Sequence, residues 1–187
     1  MKMNGRKTRA FELKVRTYLG NAGITVDRLN RLRDIGYFEK PASIGHHLAV
    51  RGGLLMHSVN VTDWLVRLGK AMGVPWADPR SPYVVGMLHD VCKCMLYHES
   101  GTAAGTWERR DIPWPGHGVA SALIVPEVLG VHLDAQETAA IVWHMGAFRL
   151  GPDELRQYDA ALRRFPQAII ATHTADMMAS RVTEADE

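Results

Sequence analysis

The pair with the most chemistry in it is His89-Asp90, set in the apolar stretch Tyr83-Val-Val-Gly-Met-Leu-His-Asp-Val-Cys-Lys-Cys-Met-Leu96. Consecutive side chains leave a helix about 100° apart, so an adjacent histidine and carboxylate can reach one point beside it. A carboxylate among apolar residues is costly to bury alone, and a bound cation removes that cost. His57, His117 and His144 stand in similar apolar settings, and Asp176 in another nearer the C-terminus. Mixed imidazole and carboxylate donors suit Mn, Fe, Ni or Zn rather than Ca. Together these residues read as a metal site assembled from several helices.

The elements that must carry these residues are predominantly helical. The spacing predicts helices over 7–19 and 26–35, with a loop from 37 to 53 that holds Pro41, Gly45, His46, His47 and a Gly-Gly pair. A strong amphipathic helix follows over 54–69. Its His57, Val61, Trp64, Leu65 and Leu68 fall on one face, which points His57 inward. One helix is expected over 82–97, then a loop over 101–116 with room for a short hairpin. His117 opens the next helix, which Pro126 is expected to disturb. Asp134, with Glu137 three residues on, has the capping-box pattern for a helix running through His144 to Gly146. Pro152 starts one more helix, and Pro166 starts the last, to about residue 182. The sum is seven or eight helices and almost no strand: an all-α chain of 187 residues in a single domain, with N-terminal helices over 1–36 and a motif-bearing core over 53–180.

Composition narrows the setting. A net charge of +2 neither requires nor excludes a nucleic-acid partner. Lys2, Arg6, Lys7, Arg9, Lys14 and Arg16 crowd one end, which reads first as a solvated helix face and alternatively as a contact strip for phosphates, and Glu184, Asp186 and Glu187 lie at the other. No apolar run is long enough to span a membrane, and no apolar signal core follows the basic start, so a cytoplasmic protein is expected. Cys92 and Cys94 stand two apart on the expected helix, pointing to different sides. They suit buried, inert thiols better than a disulfide.

Five fragments in order, Gly53-Leu-Leu-Met-His-Ser58, Leu88-His-Asp-Val-Cys-Lys93, Gly116-His-Gly118, Trp143-His-Met-Gly146 and Thr172-His-Thr-Ala-Asp176, resemble the HD-domain superfamily of metal-dependent phosphohydrolases. The resemblance covers most of the chain, from about residue 53 to 179. It is greatest to the HD domain of bacterial 3′-to-5′ exoribonucleases and to small stand-alone HD proteins of bacteria and phages. It implies an HD-type helical bundle in which His57, His89, Asp90 and Asp176 bind one metal. Asp90 would bridge to a second metal, where Mg joins the candidates, with His117 and His144. It also implies cleavage of a phosphoester by metal-activated water, since coordination lowers the pKa of water from about 15.7 toward 7. The substrate expected is a nucleotide or short oligonucleotide, because the chain has no room for the nucleic-acid-binding module of the exoribonucleases. Lys93, one helical turn beyond His89, would neutralise charge on the phosphoryl group and join Asp90 as a catalytic residue. The family pattern is usually His-Asp-x-Gly-Lys. Here Cys92 stands at the glycine position, and a single His144 follows Trp143 where several relatives double the histidine.

Other residues take supporting expectations. Arg51, Arg109, Arg110 and Arg149 flank the motifs, and arginine recognises phosphate bidentately. Trp107 could stack on a base or pack on the core, as could Trp114. His173 is expected to support Asp176, and His46, His47 and His98 to face solvent, with a substrate contact as the alternative. Two other functions fit the same residues: a metal-containing module that binds a nucleotide without turning it over, and a di-iron oxygenase on an HD scaffold. Nothing in the sequence fixes the oligomeric state.

Overall fold

The 3.6-residue periodicity is realised as eight helices of two turns or more among the described residues, which are 5–101, 105–148 and 150–185 of a computed structural model. In chain order the helical segments are α1 (Gly5–Asn21), α2 (Val26–Asp34), α3 (Gly53–Ala71), α4 (Ser81–Leu88), the single turn α5 (Lys93–Leu96), α6 (His117–Leu129), α7 (Ala135–Val142), α8 (Pro152–Arg164) and α9 (Pro166–Met178). A π turn at Ala179–Thr183 continues α9. Strands β1 (Tyr97–Glu99) and β2 (Trp107–Arg109) pair antiparallel, Tyr97 opposite Arg109. The protein is therefore predominantly helical with the helix count expected. The hairpin begins inside what the sequence predicts as helix. Among the described residues no helix is long and apolar enough to cross a membrane.

Helix α3 is central because two of its faces are apolar. Leu54 and Val59 join one buried cluster, with Leu32 of α2, Val84 and Leu88 of α4, and Ile124 and Leu129 of α6. Val61 and Leu65 join a second, with Val85 of α4 and Ile141 of α7. Helix α9 reaches that second cluster through Ala168, Ala171 and Ala175, small residues that let its backbone lie close to α3. A helix covered on both sides buries what it carries, and His57 is fully buried. Asp134 accepts from the Glu137 N–H at 2.7 Å while the Glu137 carboxylate accepts from the Asp134 N–H at 2.9 Å, the expected capping box of α7.

Two glycines set the spacing of the site-bearing helices. A Cβ on Gly86 of α4 would lie 2.4 Å from Thr62 Oγ1 and 2.8 Å from Thr62 Cα of α3. A Cβ on Gly118 of α6 would lie 2.3 Å from the Val142 carbonyl oxygen at the end of α7. The first close approach brings His89 to His57, and the second brings His117 to His144. Gly86→Ala is therefore expected to force α3 and α4 apart, destabilising the fold by about 1–3 kcal/mol and weakening metal uptake. Thermal melting and metal titration check both effects.

The structure corrects three expected boundaries. The helix over 82–97 stops at Leu88, and residues 89–92 form tighter turns, with N–H bonds from Val91 to Leu88 O and from Lys93 to Asp90 O. The helix after Asp134 ends at Val142, before His144. Pro126 does not break α6, which runs on to Leu129 and closes at left-handed Gly130. A proline there removes only one N–H donor, near a helix end.

Candidate metal centre

Two of the corrected boundaries have one cause. In an uninterrupted helix the Gly86 carbonyl would accept from the Asp90 N–H. Here the His89 ring takes it, Nδ1 to Gly86 O at 3.0 Å. In the same way His144 Nδ1 reaches back to Ile141 O at 2.7 Å. Each histidine ends its own helix by competing for a carbonyl. A carbonyl only accepts, so Nδ1 carries the proton in both rings, and each Nε2 is left with a free lone pair. This is the arrangement by which a hydrogen bond at one ring nitrogen prepares the other for a metal.

The free nitrogens converge on Asp90. Its Oδ2 lies 3.3 Å from His89 Nε2 and 3.6 Å from His57 Nε2. Its Oδ1 lies 3.7 Å from His144 Nε2 and 4.0 Å from His117 Nε2. Asp176 Oδ1 approaches His57 Nε2 at 3.2 Å from α9. The two oxygens of Asp90 thus face two different groups of imidazoles. The ligand atoms of His57, His89 and Asp90 lie close enough together to hold an ion, as do those of Asp90, His117 and His144. His57 Nε2, His89 Nε2, His144 Nε2 and Asp90 Oδ1 are buried without a hydrogen-bond partner among the described residues. Buried polar atoms are ordinarily satisfied. Four orphans aimed at shared points fit a cation, and the nitrogen-rich donor set suits a transition metal.

Electrostatics follow from this crowding. Burial would raise the Asp90 carboxyl, but Lys93, ahead of His89, holds it well below the usual carboxylate range. Lys93 Nζ lies 2.5 Å from Asp90 Oδ2, and against the effect of burial Asp90 holds its ammonium above the usual lysine value. Burial would lower His57, yet the Asp176 and Glu184 carboxylates raise it to about 9. Burial pushes His144 down to about 3 and lowers His117. His144 and His117 thus stay neutral, as ligands must, whereas a metal at His57 would displace a proton.

A cavity of about 1080 Å³ opens over this cluster. Asp90, Lys93, His117 and Asp176 line it, as do Arg109 and Tyr97. Met145, Phe148 and Met177, which also line it, are exposed apolar residues.

The structure brings together all six ligands expected from the sequence, with Lys93, and sets Arg109 on the cavity wall. Lys93 pairs with Asp90, three residues back, across the tight turn that follows α4. Arg51 and Trp107 are not part of the cavity wall among the described residues. Arg51 pairs with Glu99 at 3.0 Å and Glu39 at 3.5 Å, which satisfies its charge. Trp107 is buried, with Lys40 and Arg51 over its ring. Arg149 lies outside the described residues. His173 donates to the His144 carbonyl at 2.7 Å, so it supports the turn that holds His144 and not Asp176. Cys92, where the pattern that the motif resembles has glycine, has ordinary right-handed helical torsions, so no glycine is needed there. Both cysteines are free and buried.

Sequence reasoning missed two residues. His47 stacks on His57 with ring centroids 4.9 Å apart and lines the cavity instead of facing solvent. Glu184, given no role from the sequence, is buried with both carboxylate oxygens 3.1 Å from His57 Nδ1. A residue's direction in an irregular loop or a π turn leaves no periodic signal to read. Compared with known proteins, the chain matches no family model, no curated protein and no solved structure.

Proposed function

We propose that this protein is a metal-dependent phosphohydrolase acting on a phosphoester of a nucleotide or short oligonucleotide, in keeping with the HD-domain resemblance of its motifs. The observation that carries the reading is the division of Asp90: one carboxylate faces two imidazole groups from its two oxygens, in a cavity that Lys93 and Arg109 also line. His57, His89, Asp90 and Asp176 would hold one divalent metal, and Asp90, His117 and His144 a second. Bound there, such ions supply Lewis acidity toward a phosphoryl oxygen and lower the pKa of water.

The chain's own residues do the rest. Lys93 stays protonated and faces the cavity, so its role is charge stabilisation and not proton abstraction. Arg109 offers a fork for a phosphate held beyond the reacting group. Met145, Phe148 and Met177 give an apolar wall against which a base can pack.

The test is phosphate or nucleotide release from a panel of mono-, di-, tri- and cyclic nucleotides and short oligonucleotides with added Mn²⁺. Turnover of at least one member, lost on chelation and restored by metal, is expected. Tight nucleotide binding with no turnover under Mn²⁺, Fe²⁺, Ni²⁺ or Zn²⁺ defeats the reading.

A further inference from the structure

We propose that Glu184 is a positioning residue for the metal: the π turn after α9 docks its carboxylate on the far nitrogen of His57, which fixes the ring with Nε2 toward the cation. The inference rests on the metal reading above.

The geometry is a bracket around one imidazole. Asp176 of α9 approaches His57 at Nε2, 3.2 Å away. Eight residues later Glu184 approaches the same ring at Nδ1, each carboxylate oxygen 3.1 Å away. A plain α-helix would turn residue 184 about 80° away from residue 176. The π turn at Ala179–Thr183 makes wider turns, and its end is closed by the Glu184 N–H on the Ala179 carbonyl at 2.9 Å. π-helical insertions recur at functional sites because they re-aim side chains in this way.

Helix α3 grips the turn at three places on one face. His57 meets Glu184, Asn60 Nδ2 donates to Glu184 Oε1 at 2.9 Å, and Trp64 Nε1 donates to Thr183 Oγ1 at 2.9 Å. The carboxylate is thereby held from two sides and sealed from solvent. A buried carboxylate is weak support for stability, since a well-packed apolar residue often serves as well. Its value is directional: a carboxylate on one ring nitrogen sets the tautomer and raises the basicity of the other.

Glu184 is not itself placed as a ligand of the centre around Asp90, because it meets His57 on the edge facing away from Asp90 and Asp176. His47 Nε2 lies 3.7 Å from Glu184 Oε2, and this trio is close enough to hold an ion of its own. An ion there would take His57 Nδ1. A neutral imidazole has one free lone pair, so it cannot serve that ion and the centre around Asp90 together.

Zn²⁺ titration of the metal-free full chain against a chromophoric chelator tests the assignment. Glu184→Ala is expected to weaken one of two binding steps by about ten- to a hundredfold, leaving the other near its original affinity. Glu184→Gln is expected to lose less, because its carbonyl can still accept from Nδ1. Asn60→Ala, which frees the carboxylate without removing it, is expected to act in the same direction and decides the matter if Glu184→Ala does not fold. A readout that a merely structural role would not move is hydrogen exchange at the amides of 180–184. Zn²⁺ is expected to slow it in the unaltered protein and not in Glu184→Ala, since coupling between sites is reciprocal. Unchanged Zn²⁺ affinity in both variants, or equal weakening of both steps, overturns the proposal while the metal centre stands. No Zn²⁺ uptake by the unaltered protein overturns both.

Discussion

Replacing Asp90 by alanine is expected to empty both ligand groups at once and to lower turnover by about 10³ or more. The expectation follows from how its oxygens are divided. Oδ2 belongs with His57 and His89, at 3.6 and 3.3 Å, and Oδ1 with His144 and His117, at 3.7 and 4.0 Å. Every other ligand touches one group only, so His144→Ala is expected to weaken one binding step and spare the other. The Lewis-acid contribution of a bound metal is several kcal/mol, and each roughly 1.4 kcal/mol is tenfold in rate. Asp90→Asn is the sharper variant. It keeps the shape of the side chain and removes the negative charge that lets one group face two cations. Elemental analysis after dialysis, beside phosphate release under excess Mn²⁺, checks both variants. An Asp90→Asn protein that retains two ions per chain would refute the shared-carboxylate arrangement.

Much of this centre is legible in the sequence because its ligands sit where periodicity speaks. His57 lies on the apolar face of α3. Asp176 directly follows Ala175, the last of the small residues by which α9 packs into the same cluster as α3, and that apolar run marks the carboxylate as unusual. His89 and His144 are legible too, yet periodicity draws the helices carrying them too long. The reason is physical: the ring that makes each residue a ligand also takes the carbonyl that would have continued its helix. A propensity scale treats that histidine as one more helical residue.

The residues that sequence misplaces lie where direction depends on partners distant in the chain. Arg51 is neutralised by Glu39 and by Glu99 of the hairpin, and nothing local announces either. His47 lies between Gly45 and Leu48, both at positive φ, so the loop turns in a way that hydropathy does not encode. Glu184 needs the π turn to face inward, and Asn60 and Trp64 of α3 to hold that turn. The first of these differences gives an arginine expected at phosphate two carboxylate partners of its own. The other two add support to the metal centre.

Lys93→Met is expected to separate two roles that coincide in one ammonium. In the metal-free protein Lys93 is the cation that offsets Asp90, 2.5 Å away, in a site almost closed to solvent. Removing one partner of a buried pair costs roughly 3–5 kcal/mol, and the lower end applies here because the lysine edges the cavity. At about 2–4 °C per kcal/mol, the metal-free variant is expected to melt near 6–12 °C lower. The effect has a pH signature. A carboxyl held low in the folded state contributes stability above its unfolded pKa, near 4, and loses it as pH falls through the folded value. Burial alone would raise Asp90, and Lys93 is the first of the groups that lower it. Without Lys93 the acid-side loss is expected to begin at higher pH than in the unaltered protein. Saturating metal replaces the lost cation, so the melting difference is expected to shrink when the protein is loaded. Turnover is not rescued in the same way, because the ammonium that would face the phosphoryl charge is still missing. A fall of about 10²–10³ in turnover with metal content retained is the expected result. A variant that turns over normally, or whose melting deficit is the same with and without metal, would show that Lys93 neither stabilises charge on the substrate nor stands in for the cation at Asp90.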